Sequence, residues 1–140
     1  MARLLLDTNV LIRFLTGDHP THSPRSRNLF VAAAKGEVTL VLTDLALAET
    51  AWLLESFYSL DRAEIAAALK GLIQSTGIEV QDKRILLSTL QNFAQTHVNF
   101  VDAYHAAVAS AESIAVVSFD RDFDQFPGFK RIEPQRSHET

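Results

Sequence analysis

The stretch Leu4-Leu5-Leu6-Asp7-Thr8-Asn9-Val10-Leu11 decides how this chain folds. Residues 3–6 read as a short buried strand, because three consecutive leucines make an apolar run of strand length. Residues 8–15 then read as a helix, ended by Gly17-Asp18-His19-Pro20. A strand that runs straight into a helix is the opening of an α/β unit. It leaves Asp7 at the carboxyl end of the strand, where open α/β sheets bind their ligands.

The same alternation continues. A helix is expected over 23–35 with Gly36 as its stop, a β-rich strand over 38–42 and a helix over 44–58. Asp61-Arg62-Ala63-Glu64 has the spacing of a capping box, with Asp in place of Ser or Thr. It opens a helix that runs to Ser75, before Gly77. A short strand over 78–80, a helix over 82–96, a helix to Glu112 capped by Asn99, a strand over 114–118 and an edge strand over 130–132 complete the order. The expected fold is α/β, a three-layer α/β/α arrangement with a mainly parallel central sheet. Residues 1–133 read as one domain and 134–140 as a loose tail.

Composition narrows the function. With 47% apolar and 21% charged residues the chain reads as globular. It has no cysteine, which excludes disulfides and thiolate zinc sites. Asp7, Asn9 and Arg13 interrupt the first apolar run too early for a signal peptide, and no stretch approaches the ~20 apolar residues that cross a bilayer. The expectation is a soluble, cytoplasmic protein with no membrane association. Thirteen Lys and Arg against 17 Asp and Glu give a net charge of −4, unlike a simple basic nucleic-acid binder.

Four acids account for that excess. Asp7 ends the first apolar run, Glu49 lies inside the apolar stretch 45–54, Asp102 follows Phe100-Val101, and Asp120 closes 114–119. A carboxylate taken out of water without a partner is costly, and few basic residues lie close to these in sequence. A divalent cation is the expected partner. Each acid also has a structural reading. Asp7 suits the N-cap of the first helix. Glu49 has Leu45, Ala46, Trp52 and Leu53 as its helical neighbours, none basic, so it would otherwise need a distant Arg. Asp102, three residues after Asn99, suits the helix dipole. Asp120, Asp122 and Asp124 form an acidic patch in which Arg121 shares the charge, with Asp124 the most ordinary turn residue. His105, one turn after Asp102, reads either as a partly buried structural histidine, the reading favoured here, or as a candidate to support Asp102. Oxygen-only ligation by Asp and Glu selects Mg²⁺ or Mn²⁺, ions that recur where phosphate esters are cut.

The chain resembles the PIN-domain family, and within it the VapC-like toxin ribonucleases. The resemblance is carried by Leu5-Leu6-Asp7-Thr8-Asn9-Val10-Leu11, by Ala48-Glu49-Thr50-Ala51-Trp52-Leu53-Leu54, by Phe100-Val101-Asp102-Ala103 and by Ser118-Phe119-Asp120-Arg121-Asp122-Phe123. Each motif is short, and their order along nearly the whole chain is the specific signal. The resemblance implies a Mg²⁺- or Mn²⁺-dependent endoribonuclease whose metal ligands and catalytic acids fall on Asp7, Glu49, Asp102 and Asp120. Asp122 matches a further acid of some members, and Asn9 and Thr8 are supporting positions. It also implies an RNA substrate, a homodimer and a VapB-like antitoxin. The antitoxin arm would use a groove over 51–73 offering Trp52, Leu53, Leu54, Phe57, Tyr58, Ile65, Leu69 and Leu72. Arg13, Arg25, Arg27 and Arg121 are candidates to hold the RNA backbone. Competing readings are an RNA-processing nuclease with no toxin role, a non-catalytic RNA- or protein-binding PIN module, and a haloacid-dehalogenase-type phosphatase. The last wants a second Asp two residues after its first, where this chain has Asn9.

Overall fold

The computed structural model describes residues 2–135. The chain divides into two compact units, Met1–Lys83 and Arg84–Thr140. The first is built as β1 (Ala2–Leu5), α1 (Thr8–Thr16), α2 (His22–Ala34), β2 (Val38–Val41), α3 (Asp44–Ser56), α4 (Arg62–Ile73) and β3 (Ile78–Glu79). Its three strands form a parallel sheet in the order β1-β2-β3, with Leu4 opposite Leu40 and Val41 opposite Glu79. The parallel order follows from the helical crossovers, since two parallel strands cannot be joined by a tight turn.

Local chemistry sets the helix ends. Thr43 accepts the Ala46 N–H at the start of α3, and Asp61 accepts the Glu64 N–H at the start of α4, as the capping-box spacing predicts. Gly17 ends α1 in the left-handed region at φ 63°. The core gathers Leu11, Ile12, Phe30, Leu40, Leu42, Leu47, Leu54, Ile65 and Leu69, all buried. Phe14 stacks on Phe30 with ring centroids 3.9 Å apart. In β1 the leucine run is less buried than its sequence suggests. Leu6 is in the core, while Leu4 and Leu5 are 40% and 74% exposed, so the expected buried strand is open to solvent within its own unit.

The second unit holds α5 (Lys83–Gln95), α6 (Phe100–Glu112), β4 (Val116–Val117), a 3₁₀ helix (Arg121–Gln125) and β5 (Arg131–Ile132). β4 and β5 pair in parallel, Val116 with Arg131 and Val117 with Ile132. Asn92 donates its side-chain amide to the Ala103 carbonyl at 3.1 Å, tying α5 to α6. Phe93 meets Phe100 edge to face at 5.8 Å. The small residues Ala103, Ala106 and Ala107 are buried on α6. Of the expected loose tail 134–140, residues 136–140 lie outside the described residues, and Pro134 and Gln135 belong to no helix or strand.

Candidate functional site

In the first unit the chemistry gathers where β1 gives way to α1. Asp7 occupies the N-cap position with extended backbone, φ −86° and ψ 151°, yet its side chain makes no capping hydrogen bond. Capping therefore does not account for this carboxylate. It lines a cavity of about 430 Å³ together with Thr8, Asn9 and Arg13 of α1, and Glu49 of α3. Leu53, Phe57 and Tyr58 supply the apolar part of the wall.

Glu49 corrects one step of the sequence argument. Both it and Asp7 are exposed, and neither is driven out of water by its own unit. The reason lies in α3. Its buried stripe is Leu47, Thr50, Ala51 and Leu54, the spacing of one helical face, and Glu49 sits off that stripe. Two of its supposed apolar neighbours are exposed with it, Leu45 by 83% and Trp52 by 62%. The distant-arginine reading fails as well, since Glu49 has no hydrogen bond or ion pair among the described residues.

Asp18 is the residue that sequence reasoning missed. It accepts from the Thr16 hydroxyl at 2.7 Å, from the Tyr58 hydroxyl at 2.7 Å and from Arg13 at 3.0 Å. These partners, Thr16 and Tyr58 foremost, hold its carboxyl well below the usual carboxylate range, and Asp18 in turn raises the Tyr58 phenol. The result is a fixed Arg13 in the cavity wall. A signal was present in the sequence: Arg13 lies in the last turn of a helix and Asp18 directly follows the Gly17 stop.

In the second unit, Asp102, Asp120 and Asp122 come within electrostatic reach of one another. Asn99 caps α6 by accepting the Asp102 N–H at 2.8 Å, which fixes Asp102 in the first turn. Burial pushes the Asp102 carboxyl up, and the charges of Asp120 and Asp122 add to the rise, opposed by His105 and by the hydrogen bond with Asn99. Asp120 does act as a cap, accepting the Asp122 N–H at 2.9 Å at the start of the 3₁₀ helix. Asp124 takes the structural role expected of it, though its partner is Arg131 at 2.9 Å rather than Arg121. That contact lowers the Asp124 carboxyl and raises the Arg131 guanidinium.

The donors fit a hard cation in kind. All are carboxylate oxygens, Asp7 and Glu49 are uncommitted, and Asp102 carries the strain of neighbouring negative charge that a cation relieves. Among the described residues, no group of three or more His, Asp or Glu side chains is close enough to hold an ion. The acids are brought together as the pair Asp7 and Glu49 in one unit and the trio Asp102, Asp120 and Asp122 in the other.

Comparison with known families settles the class. The PIN domain model matches residues 4–128, running through both units. The chain belongs to the PIN-domain family. Among solved structures, this PIN chain is similar to VapC20 of Mycobacterium tuberculosis, a sarcin–ricin loop cleaving toxin, at 19% identity and a TM-score of 0.42 over 96% of this chain and 100% of that one. It is similar to VapBC2 from Rickettsia felis bound to a DNA fragment from its promoter, at 16% identity and a TM-score of 0.39 over 96% and 100% of the two chains. FitAB bound to an IR36 DNA fragment matches at 19% identity and a TM-score of 0.34 over 99% and 100%. No curated protein matches in sequence. Among the described residues of the PIN chain, no helix is long and apolar enough to cross a membrane.

Proposed function

We propose that this PIN protein is a metal-dependent endoribonuclease that hydrolyses RNA phosphodiesters, and that it is the toxin of a VapBC-type pair. The observation that carries the reading is the cavity in which Asp7 and Glu49, from separate elements, present carboxylates that no side chain among the described residues engages. Asp7, Glu49, Asp102 and Asp120 would hold Mg²⁺ or Mn²⁺, with Asp122 as a further donor. When bound, such an ion supplies the acidity that activates water and the charge that offsets the phosphoryl oxygens.

The chain's own residues do the rest. Without a cation, Asp7 and Glu49 repel the scissile phosphodiester, so turnover depends on the metal. Arg13, held by Asp18, offers its remaining guanidinium N–H groups from the same wall to phosphate oxygens. The Thr8 hydroxyl and the Asn9 amide add neutral donors beside Asp7 and orient substrate or water. The Asp102 carboxyl is raised by burial and by the charges of Asp120 and Asp122, a repulsion that a cation would relieve. No protein nucleophile is required.

A VapB-like antitoxin and a homodimer are part of the proposal. The groove expected over 51–73 divides in two. Leu54, Ile65, Leu69 and Leu72 are core residues, whereas Trp52 at 62% and Phe57 at 77% exposure remain available to a partner. The catalytic test is cleavage of cellular RNA by Asp7→Asn and Glu49→Gln, with circular dichroism to confirm the fold. Both variants should lose Mg²⁺-dependent cleavage, and normal cleavage by folded variants would overturn the reading.

A further inference from the structure

A second cavity, of about 550 Å³, lies on the first unit along α1 and α2. Its lining includes the cations Arg13 and Arg25, together with His22 and no carboxylate, in a chain whose net charge is −4. Asn9 and Arg13 also line the cavity of Asp7 and Glu49, so the two adjoin. Val10 and Leu29 give it an apolar wall. The volume lies in the range of small-molecule sites, enough for one nucleotide.

Two side chains leave donors uncommitted toward this cavity among the described residues. Ser26 is only 6% exposed, lines the cavity, and its hydroxyl has no hydrogen-bond partner among the described residues. Buried hydroxyls in helices normally return to the carbonyl four residues back. Thr50 and Thr89 do so here, bonding to Ala46 and Ile85 at 2.7 and 2.8 Å. Ser26 does not. Arg25 has no ion pair among the described residues, while Arg13 is oriented by Asp18. The first turn of α2 contains no acid to offset these cations.

We propose that this cavity binds the RNA strand, taking the phosphate of a nucleotide next to the one cleaved, with Arg25, Arg13 and the Ser26 hydroxyl as its donors. The proposal rests on the nuclease reading for the identity of the strand. It selects Arg13 and Arg25 from the four arginines that sequence offered, and sets Arg27 and Arg121 aside, since neither lines this cavity. An acidic protein segment is the less favoured occupant. Its carboxylates would continue into the cavity of Asp7 and Glu49, whereas an RNA strand continues there into its own cleavage site.

The test is binding of a short fluorescent single-stranded RNA to the full-length protein, read by anisotropy in EDTA so that cleavage makes no contribution. Arg25→Ala should weaken binding about tenfold and reduce the salt slope by about 0.7, one phosphate contact on a single strand. Arg27→Ala removes the same charge from the same helix and should leave binding within about twofold. Equal losses for both variants would overturn the proposal, because the cavity would then be no different from the general surface. So would wild-type RNA affinity in Arg25→Ala combined with lost binding of an oligo-aspartate peptide, which would assign the cavity to a protein partner. A wild-type protein that binds RNA through Arg25 yet cuts none with Mg²⁺ present would defeat the nuclease reading and leave the cavity as an RNA-phosphate site with no cleaved nucleotide beside it.

Discussion

Gly77 offers the most quantitative test of how the first unit holds its shape. It sits at φ +84°, and a Cβ there would collide with the Ala33 carbonyl oxygen and lie 2.8 Å from the Ala33 carbonyl carbon and Cβ. Neither side can yield freely. The Gly77 carbonyl accepts the Leu40 N–H at 2.7 Å, and the Ala33 carbonyl accepts the Gly36 N–H at 3.0 Å. Gly77→Ala should therefore cost roughly 1 kcal/mol for the left-handed backbone plus about 1–3 kcal/mol for overpacking, a total of about 2–4 kcal/mol. Gly36 is a built-in control. Its φ is +79° but nothing lies within 4 Å, so Gly36→Ala should cost only the backbone share of roughly 1 kcal/mol. Gly71, inside α4 with open space around it, should give a gain of about 0.5–1 kcal/mol when replaced by Ala. Urea unfolding followed by the fluorescence of Trp52, the chain's single tryptophan, reads this unit. A Gly77→Ala cost no larger than that of Gly36→Ala would refute the packing of α2 against the residues leading into β3.

Three further outcomes follow from the side-chain contacts. Asn99→Ala removes the cap of α6 and should cost about 1 kcal/mol, visible as faster hydrogen exchange of the α6 amides; unchanged exchange would contradict the cap. Asp18 is lowered in the folded state by Thr16, Tyr58 and Arg13, so its stabilisation is complete above the unfolded aspartate pKa of about 3.9 and is lost as pH falls below that value. Asp18→Asn should flatten the acid limb of the stability–pH profile, and an unaltered limb would rule the cluster out as its source. Asp102 is raised first by burial and then by Asp120, so Asp120→Asn should lower its titration midpoint in carboxyl ¹³C NMR; an unmoved midpoint would mean the two acids do not sense each other.

Much of this was legible because it is local. The β1–α1 junction, the Asp61 and Asn99 caps and the glycine stops depend on residues within a turn of one another. Strand extent was less legible. The apolar run 114–118 forms only the strand Val116–Val117, because β5 pairs with just those two residues. The 3₁₀ helix after Asp120 was read as a turn, and the Arg131–Asp124 pair that anchors it joins two elements no periodicity links. The acids were found for a reason that only partly survives. Their position in apolar runs suggested burial, yet Asp7 and Glu49 are exposed, and what marks them is the lack of a partner among the described residues. The α3 stripe of Leu47, Thr50, Ala51 and Leu54 shows why an apolar neighbourhood in sequence is not an apolar neighbourhood in space. The basic cavity left almost no trace, since His22, Arg25 and Ser26 become one face only once α2 lies beside α1.

The central claim is that these carboxylates serve a metal-dependent cut in RNA. It is tested most directly by measuring cleavage of purified cellular RNA across a Mg²⁺ titration, for the wild type and for Asp7→Asn, Glu49→Gln, Asp102→Asn and Asp120→Asn. The account predicts cleavage that rises with Mg²⁺, disappears with chelator, and falls by at least about 100-fold in each folded variant. Cleavage that persists in chelator, or that survives at the wild-type rate in Asp7→Asn or Glu49→Gln, would contradict it.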